Sequence, residues 1–468
     1  MEILKLYIGG KWIAGDSGSF IEVENPATKE IIARVPEGNE TDVNRAVKAA
    51  KEGFKVWKNF TPSKRAQYLY KVADYLEEHK EEIGVTVTSE LGIPKKLAVG
   101  WHVEAPIIET RFFAKIAEEF EYETKGNGHF VRREPIGVVA GLTPWNYPLD
   151  QVTVKLLPAI AAGNAVILKP SQMTPLSAYH LAKAMEYAKV PAGVFNLVTG
   201  RGGQVGNVLA AHPDIQMISF TGSTGAGRQV GQLALSNIKR IALELGGKSA
   251  SVVLKGADYQ KAVEATVTKC FLNSGQTCSA WTRMIVPREE KEKIEPLIIE
   301  QSKKFLVGDP MDGKSDIGPV INQGAFEKIK GYIEAGLEEG ANMLIGEVPE
   351  SCEKGYYIKP VVFIDVNNTM KIAREEIFGP VLCVIYYDTK EEALAIANDS
   401  PYGLSGAVFG ESKEAKAFAN EMETGVVHLN GAAFTVEAPF GGYKQSGIGR
   451  ENSKYSFDEY LEIKAMLV

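Results

Sequence analysis

The stretch Ile136-Gly-Val-Val-Ala-Gly-Leu142 is a short run of apolar residues and glycines, and it opens the part of the chain that decides the fold. Helical stretches such as 175–188 separate most of the similar runs, which recur at 165–168, 194–198, 215–220, 238–243 and 250–254. Strands that are apolar along their whole length and alternate with helices indicate a parallel sheet that is covered on both faces. We therefore predict a nucleotide-binding α/β domain, with ligands at the carboxyl ends of its strands.

The same alternation continues beyond residue 258 and predicts a second α/β domain. The expected helices are 258–273 and 288–305, and the expected strands are 281–286, 360–364, 381–386, 405–409 and 425–429. Before residue 120 the chain is mainly helical, because apolar residues recur at helical spacing in 41–57 and from Pro62 onwards. The fold class that follows is α/β with two sheets.

Charge and hydropathy exclude two classes of partner. The net charge is −7, and the 52 Lys and Arg are spread along the chain, whereas a nucleic-acid-binding protein would show clustered basic stripes. The longest apolar runs fall far short of the roughly 20 residues that span a bilayer, and the N-terminus lacks the cleavage site of a signal peptide. We expect no nucleic-acid partner, no membrane partner and a cytoplasmic location.

Cysteine and histidine are too scarce and too scattered for a disulfide scaffold or a zinc enzyme. The chain has 4 cysteines and 6 histidines, with no two histidines within one helical turn and no cysteine pair at metal-ligand spacing. A disulfide scaffold and a zinc enzyme are therefore both excluded, and we expect no metal.

Two glycine-rich turns follow predicted strands. Gly200-Arg-Gly-Gly-Gln-Val-Gly206 approaches the dinucleotide fingerprint GxGxxG, but Val205 occupies the position of its third glycine. Phe220-Thr-Gly-Ser-Thr-Gly-Ala-Gly227 precedes a helix, whose first backbone N–H groups suit an anion such as a phosphate. A plain turn remains the alternative in both places. The second turn lacks a Walker lysine, which disfavours ATP or GTP hydrolysis.

Three polar residues lie in sequence contexts that suit a catalytic role. Cys278 lies in the small, polar segment Asn273-Ser-Gly-Gln-Thr-Cys-Ser279, which leaves room for a reacting carbonyl carbon, whereas the other cysteines suit a buried core. Glu244 ends an apolar strand beside two glycines, where a carboxylate is a candidate general base on water. Asn146 lies between two prolines and is a candidate donor to an oxyanion. Taken singly, each of these residues has a purely structural explanation as well.

Taken together, these segments resemble the aldehyde dehydrogenase superfamily, the NAD(P)-dependent enzymes that oxidise aldehydes to carboxylic acids. The resemblance begins at Tyr7-Ile-Gly-Gly-Lys-Trp12 and covers essentially the whole chain. It includes Asn25-Pro-Ala-Thr28, Pro144-Trp-Asn-Tyr-Pro148, Lys169-Pro-Ser171, Phe220-Thr-Gly-Ser223, Glu244-Leu-Gly-Gly-Lys248, Gly275-Gln-Thr-Cys278, Glu375-Glu-Ile-Phe-Gly-Pro380 and Pro439-Phe-Gly-Gly-Tyr-Lys-Gln-Ser-Gly447.

The resemblance implies a catalytic role for each of the three residues. Cys278 as thiolate attacks the aldehyde carbon, and the Asn146 amide with the Cys278 backbone N–H holds the oxyanion. Hydride transfer leaves a thioester, and Glu244 activates the water that hydrolyses it. Coenzyme A-acylating members of the family typically lack this glutamate, so the expected product is the free acid.

The resemblance also assigns a cofactor site and a substrate tunnel. The implied contacts to NAD or NADP are Thr143, Pro144, Trp145, Lys169, Ser171, Gln172, Gly222, Ser223, Leu245, Glu376 and Phe378. Gln172 replaces the glutamate with which many NAD-preferring relatives grip the ribose, which removes repulsion of a 2′-phosphate and predicts use of both NAD and NADP. The implied tunnel residues are Tyr147, Gln151, Val154, Thr277, Ser279, Phe434 and Phe440.

The tunnel residues suit an aromatic or medium-chain aliphatic aldehyde. Segment 147–154 contains no Arg or Lys to anchor a carboxylated semialdehyde, and its Asp150 would equally favour an aminoaldehyde. An aminoaldehyde or semialdehyde dehydrogenase is therefore the alternative within the family. A cofactor-independent thiol hydrolase would need a nearby histidine, which these motifs lack, and a non-catalytic protein would have no reason to retain Cys278, Glu244 and Asn146 together.

By resemblance the chain divides into a Rossmann-like cofactor domain, a catalytic domain and a small β oligomerisation arm. The expected bounds are 1–111 and 135–247 for the NAD(P)-binding domain, 248–445 for the catalytic domain, and 112–134 with 446–468 for the arm and C-terminal segment. The family forms homo-oligomers, dimers or tetramers, and the C-terminal strand is expected to join a neighbouring subunit.

Overall fold

The computed structural model describes residues 2–468 of the chain. The N-terminal part contains β1 (Glu2–Ile3), β2 (Leu6–Ile8), β3 (Lys11–Ile13), β4 (Phe20–Glu24), β5 (Ile31–Pro36), α1 (Glu40–Trp57), α2 (Pro62–Glu78), α3 (Lys80–Leu91), α4 (Lys95–Leu97), α5 (Glu104–Glu119), β6 (Glu123–Gly126) and β7 (His129–Pro135). A π-helical stretch, Ala98–Val103, joins α4 to α5.

The segment that begins at Ile136 forms alternating strands and helices. They are β8 (Val138–Leu142), α6 (Asp150–Ala162), β9 (Ala165–Lys169), α7 (Leu176–Tyr187), β10 (Phe195–Leu197), α8 (Asn207–Ala211), β11 (Met217–Thr221), α9 (Thr224–Leu235) and β12 (Arg240–Glu244). These strands belong to an eight-stranded sheet that also contains β22 (Gly447–Ile448) and has the order β22-β12-β11-β8-β9-β10-β2-β3. In this sheet β12, β11, β8, β9 and β10 are parallel neighbours. Apolar clusters cover both faces of this sheet, as the sequence predicts.

A second sheet follows in the chain. Its part of the sequence forms β13 (Ala250–Val253), α10 (Tyr259–Phe271), β14 (Arg283–Pro287), α11 (Lys291–Ser302), α12 (Gln323–Glu338), β15 (Asn342–Ile345), β16 (Val361–Ile364), α13 (Lys371–Arg374), β17 (Val381–Tyr387), α14 (Lys390–Asn398), β18 (Tyr402–Gly403), β19 (Ser405–Phe409), α15 (Ser412–Glu421) and β20 (Val426–Leu429). The strand order is β15-β16-β17-β14-β13-β19-β20, and every pair except β15–β16 is parallel. The run at 250–254 therefore starts the second sheet instead of ending the first.

The C-terminal segment contains β21 (Tyr443–Lys444), β22 (Gly447–Ile448), α16 (Ser453–Glu459) and β23 (Leu461–Leu467). The expected hairpin is present, since β6 pairs with β7. Residues 112–119, which the sequence places in the arm, instead complete α5, whose apolar face packs on α2 and α6. The strand expected to join a neighbouring subunit pairs with β7 of its own chain, from Leu461 opposite Pro135 to Leu467 opposite His129. Within residues 2–468 no helix is long and apolar enough to cross a membrane.

Candidate active site

A cavity of about 340 Å³ lies at the carboxyl ends of β8, β11 and β12. Parallel strands bring these ends to one edge of the sheet, and α12 and the segment around Cys278 close the cavity from the second domain. The predicted site residues that line it are Pro144, Trp145, Asn146, Gln151, Gly222, Ser223, Leu245, Cys278, Glu376 and Phe378.

A left-handed turn carries Cys278 into the cavity. After α10 the backbone φ angles of Asn273, Ser274 and Gly275 are 54°, 57° and 72°. A Cβ atom at position 275 would lie 2.1 Å from the carbonyl carbon of Gly379, so only glycine fits there. The turn thus depends on Gly275, and it reverses the chain within a few residues so that Cys278 faces the first domain.

Asn146 is held beside this turn by reciprocal hydrogen bonds. Its side-chain Nδ2 donates to the Gln276 backbone oxygen at 2.9 Å, and Asn273 Nδ2 donates to the Asn146 backbone oxygen at 2.8 Å. A side-chain amide has two N–H donors, so one remains for a group in the cavity. Asn146 and the Cys278 turn therefore hold each other in a fixed relative position.

The environment of Cys278 favours the neutral thiol. Burial raises the pKa of the thiol, and the negative charges of Glu376, Glu244 and Glu451 raise it further. The Ser279 backbone N–H acts in the opposite direction, because a hydrogen bond to the sulfur stabilises the thiolate. The other three cysteines lie elsewhere: Cys270 and Cys383 are buried and Cys352 is half-buried.

Glu244 ends β12 with its carboxylate buried and unpaired. Neither carboxylate oxygen has a hydrogen-bond partner in the described part of the chain. Burial raises the pKa of Glu244 well above its usual range, and Glu451 adds to the increase. A Cβ atom at Gly441 would lie 2.6 Å from Glu244 Oε1, so glycine there leaves space for the carboxylate. A carboxyl group in this state suits proton transfer.

A buried ion pair lies near Glu244 and acts on its charge. Lys155 of α6 bonds Glu451, and neither side chain has more than 6% of its surface exposed. On the same helix Asp150 is adjacent to Glu109, and burial is the main cause that raises the pKa of Asp150 to about 6. The pKa of Glu109 is raised by burial and by Asp150. The acid–base groups of the site thus extend from Glu244 through the Lys155–Glu451 pair to Asp150 and Glu109.

Several groups around the cavity fit a nicotinamide dinucleotide. Glu376 Oε1 accepts a hydrogen bond from the Gly247 N–H at 3.0 Å, which fixes the carboxylate at the cavity wall. Phe378 has a φ of 63° and contacts the Trp145 ring edge-on at 5.4 Å. Strain of this kind is typical of functional sites. Ser223 caps the N-terminus of α9, where backbone N–H groups favour a phosphate.

The predicted ribose contacts Lys169 and Ser171 lie at the end of β9 and just after it, and the predicted cofactor contact Thr143 follows β8. The Lys169 ammonium is buried, and within residues 2–468 it makes no ion pair or hydrogen bond; burial lowers its pKa to about 8. Ser171 and Thr143 are buried too, and the Thr143 hydroxyl has no partner among the described residues. Buried polar groups without partners are rare, and ribose hydroxyls would satisfy them. Gln172 lines a separate cleft of about 670 Å³ together with Arg201.

The predicted tunnel residues form two contacts outside the main cavity. The hydroxyls of Tyr147 and Thr277 are 2.8 Å apart, and the rings of Phe434 and Phe440 meet edge-on at 5.9 Å. Val154 is buried and Ser279 half-buried. Of the predicted tunnel residues only Gln151 also lines the cavity of Cys278. Residues 2–468 contain no group of His, Cys, Asp or Glu that could hold a metal ion.

Comparison with known proteins decides the family. Residues 12–466 match the Aldehyde dehydrogenase family. The chain belongs to the aldehyde dehydrogenase family. It is 44% identical over 467 residues to 3-succinoylsemialdehyde-pyridine dehydrogenase of a Pseudomonas species, covering 99% of this chain and 98% of that protein. It is 42% identical over 465 residues to a putative aldehyde dehydrogenase of Staphylococcus aureus, with coverage of 99% and 98%.

Solved structures of other aldehyde dehydrogenases share the fold. A mutant aldehyde dehydrogenase C of Pseudomonas syringae, complexed with NAD+ and octanal, has a TM-score of 0.97 at 44% identity and covers 99% of this chain and 96% of that one. A mutant indole-3-acetaldehyde dehydrogenase of the same species, in complex with NAD+ and IAA, has a TM-score of 0.96 at 36% identity, with coverage of 99% and 96%.

Sequence reasoning missed several residues of this aldehyde dehydrogenase site. Lys155 is a single cation in the apolar stretch of α6, which is the signal that could have revealed it, but its partner Glu451 lies 296 residues away. The π-helical stretch Ala98–Val103 gave no signal. It places His102 flat against the Tyr147 ring, with centroids 4.5 Å apart and planes at 5°.

Proposed function

We propose that this aldehyde dehydrogenase oxidises an aldehyde to the free carboxylic acid with NAD or NADP as hydride acceptor, through a thioester on Cys278. The observation that carries the proposal is the meeting of Cys278 and Asn146 in one cavity, with the unpaired carboxylate of Glu244 close enough to raise the pKa of the thiol. Nucleophile, oxyanion donor and general base are the three groups that the reaction requires.

The first step is attack by Cys278. The thiol loses its proton to solvent, the sulfur forms a bond to the aldehyde carbon, and the carbonyl oxygen becomes an oxyanion. The free N–H of Asn146 and the Cys278 backbone N–H stabilise that oxyanion. Donors that are fixed before the reaction stabilise developing charge without reorganising, and Asn146 is fixed by Gln276 and Asn273.

A nicotinamide cofactor would supply the hydride acceptor that oxidises this carbon, and the acyl group would remain on Cys278 as a thioester. Glu376 and Phe378 would hold the nicotinamide half, and Lys169 and Ser171 the adenosine ribose. Residues that hold the cofactor in this way would lower the entropic cost of bringing it to the substrate carbon.

Hydrolysis of the thioester is the task of Glu244. Its carboxylate accepts a proton from water, the water oxygen bonds to the acyl carbon, and the carbon–sulfur bond breaks to return the thiolate and release the acid. The raised pKa of Glu244 makes it a stronger base than an exposed carboxylate, which supports a non-acylating enzyme with water as the acceptor.

The cleft that contains Gln172 supports use of NADP as well as NAD. Gln172 is uncharged, and Arg201 lines the same cleft, so a 2′-phosphate would meet a cation instead of a carboxylate. Arg201 also bonds Glu37 at 2.6 Å, which offsets part of its charge. Complexes of structural relatives contain NAD+, and this supports NAD as the second acceptor.

We propose that the preferred substrate is an aromatic or medium-chain aliphatic aldehyde. Phe434 and Phe440 offer apolar surface, and the aldehyde dehydrogenase C relative was solved with octanal. A specific observation also supports an aminoaldehyde as the second candidate, because Asp150 and Glu109 form an acidic pair on the side of α6.

One spectrophotometric assay tests the proposal. Octanal, benzaldehyde and an aminoaldehyde are mixed with NAD+ or NADP+, and reduced cofactor is followed by absorbance. We expect reduction with both cofactors, the loss of reduction in Cys278→Ala, and no reaction without cofactor. The proposed reaction is contradicted if no aldehyde reduces either cofactor. Dual cofactor use is contradicted by a preference for NAD above about 10³, near 4 kcal/mol.

Chain assembly is part of the same proposal. Ile463, Leu467 and Val468 expose 61%, 85% and 82% of their surface, and apolar residues exposed together favour a contact with another copy. We propose a homo-oligomer, a dimer or a tetramer, that buries this end of the chain.

A further inference from the structure

Lys269 is a cation without a counter-charge. It lies near the end of α10, half-buried, and within the described residues it makes no ion pair or hydrogen bond. Its Nζ stands 5.5 Å from the centroid of the Trp101 ring. Burial lowers the pKa of Lys269, and no carboxylate raises it. An ammonium that is partly withdrawn from water is normally paired, so this position favours an anionic partner.

Two connections link Lys269 and Trp101 to the segment that carries Cys278. Trp101 adjoins His102, whose ring stacks on Tyr147, and the Tyr147 hydroxyl meets Thr277, the residue before Cys278. On the other side, α10 leads directly into the turn that carries Cys278.

The segment that contains His428 and the loop after it also lies near Lys269. Burial lowers the pKa of His428, and the nearby charge of Lys269 lowers it further. The ring of His428 bonds the Ala432 backbone oxygen at 2.7 Å. Ala432 belongs to the loop that follows β20 and carries Phe434 and Phe440, so this loop, α10 and the π-helical stretch meet near Lys269.

We propose that Lys269 and Trp101 form an outer subsite that binds the carboxylate at the far end of an ω-carboxylated aldehyde. The inference rests on the proposed aldehyde oxidation and adds a substrate class to it. The ammonium binds the carboxylate, and the indole, 50% exposed, supports the ammonium by a cation–π contact and covers the methylene chain of the substrate. The acidic pair Asp150–Glu109 does not offset this charge, because no carboxylate acts on Lys269.

The test compares two aldehydes of equal chain length, one with a terminal carboxylate and one with a terminal methyl group. The quantity measured is the ratio of their kcat/KM values, over a series of short, medium and long chains. At the best length we expect Lys269→Met to lower this ratio roughly tenfold, through KM of the carboxylated aldehyde, which is the effect of losing one charged contact. Lys269→Arg keeps the charge and is expected to keep the ratio within about threefold.

Lys303→Met is the matched control, because it removes one exposed cation elsewhere in the catalytic domain and should leave the ratio unchanged. In the unmodified enzyme the ratio should fall as salt is added, since salt screens a partly exposed pair; this measurement needs no variant. The subsite is overturned if neutral aldehydes are oxidised but neither Lys269→Met nor salt changes the ratio. Failure to oxidise either aldehyde overturns the proposed function and the subsite with it.

Discussion

At the scale of single residues, the electrostatic surroundings of Cys278 decide how the site works. Burial of the thiol and the negative charges of Glu376, Glu244 and Glu451 all disfavour the thiolate, and of these carboxylates Glu376 lines the same cavity. The neutral thiol is therefore the favoured form of Cys278.

The pH dependence of thiol alkylation tests this state. Because the pKa of Cys278 is raised, the thiolate fraction and the alkylation rate by iodoacetamide should rise about tenfold for each pH unit between about pH 7 and 9 without levelling off. Peptide mass spectrometry measures each cysteine separately, and Cys278→Ala identifies the peptide. A rate for Cys278 that reaches its plateau below about pH 8 would contradict the raised pKa.

At the scale of elements, the turn after α10 sets the position of the nucleophile. Gly275 adopts a φ of 72° and contacts the backbone of Gly379 so closely that a side chain is excluded. Gly275→Ala should therefore destabilise the fold by about 2 kcal/mol or more and lower kcat, because the turn must move away from Asn146.

Gly256→Ala is the matched control for that substitution. Gly256 has a φ of 78°, and no heavy atom lies within 4 Å of the position that a Cβ atom would take there, so this variant tests the backbone strain without the clash. Its expected cost is about 1 kcal/mol, with activity retained. Thermal unfolding at one scan rate measures both variants. Equal losses of Tm for the two variants would show that the clash with Gly379 adds nothing to the loss of stability in Gly275→Ala.

The elements themselves were largely predictable from local pattern. Continuous apolar runs locate β8, β9 and β11 to within about two residues, because buried parallel strands carry an unambiguous signal. The end of α5 was not predictable in the same way. Its last turns lie next to the hairpin in sequence, and only packing on α2 and α6 shows that they are helical.

At the scale of the whole molecule, contacts between residues that are far apart in the sequence limit what can be predicted from the sequence. Lys155 and Glu451 meet across 296 residues, and Trp101 of the π-helical stretch meets Lys269 of α10. Neither pair has a local sequence pattern. The motif residues were found because the family resemblance already encodes such meetings for Cys278, Glu244 and Asn146. The resemblance is less informative about the substrate tunnel than about the catalytic residues, because this chain has its own residues in the tunnel.

The central claim is that substrate carbon becomes bonded to Cys278 and that Glu244 releases it. The most direct measurement is the intact mass of Glu244→Gln after mixing with octanal and NAD+, with Glu423→Gln, an exposed glutamate, as the control. We expect about one reduced cofactor per subunit in a burst, steady turnover lowered by roughly 10²–10⁴, and an octanoyl group on the peptide that contains Cys278. Undiminished turnover without any acyl group on Cys278 would contradict the account.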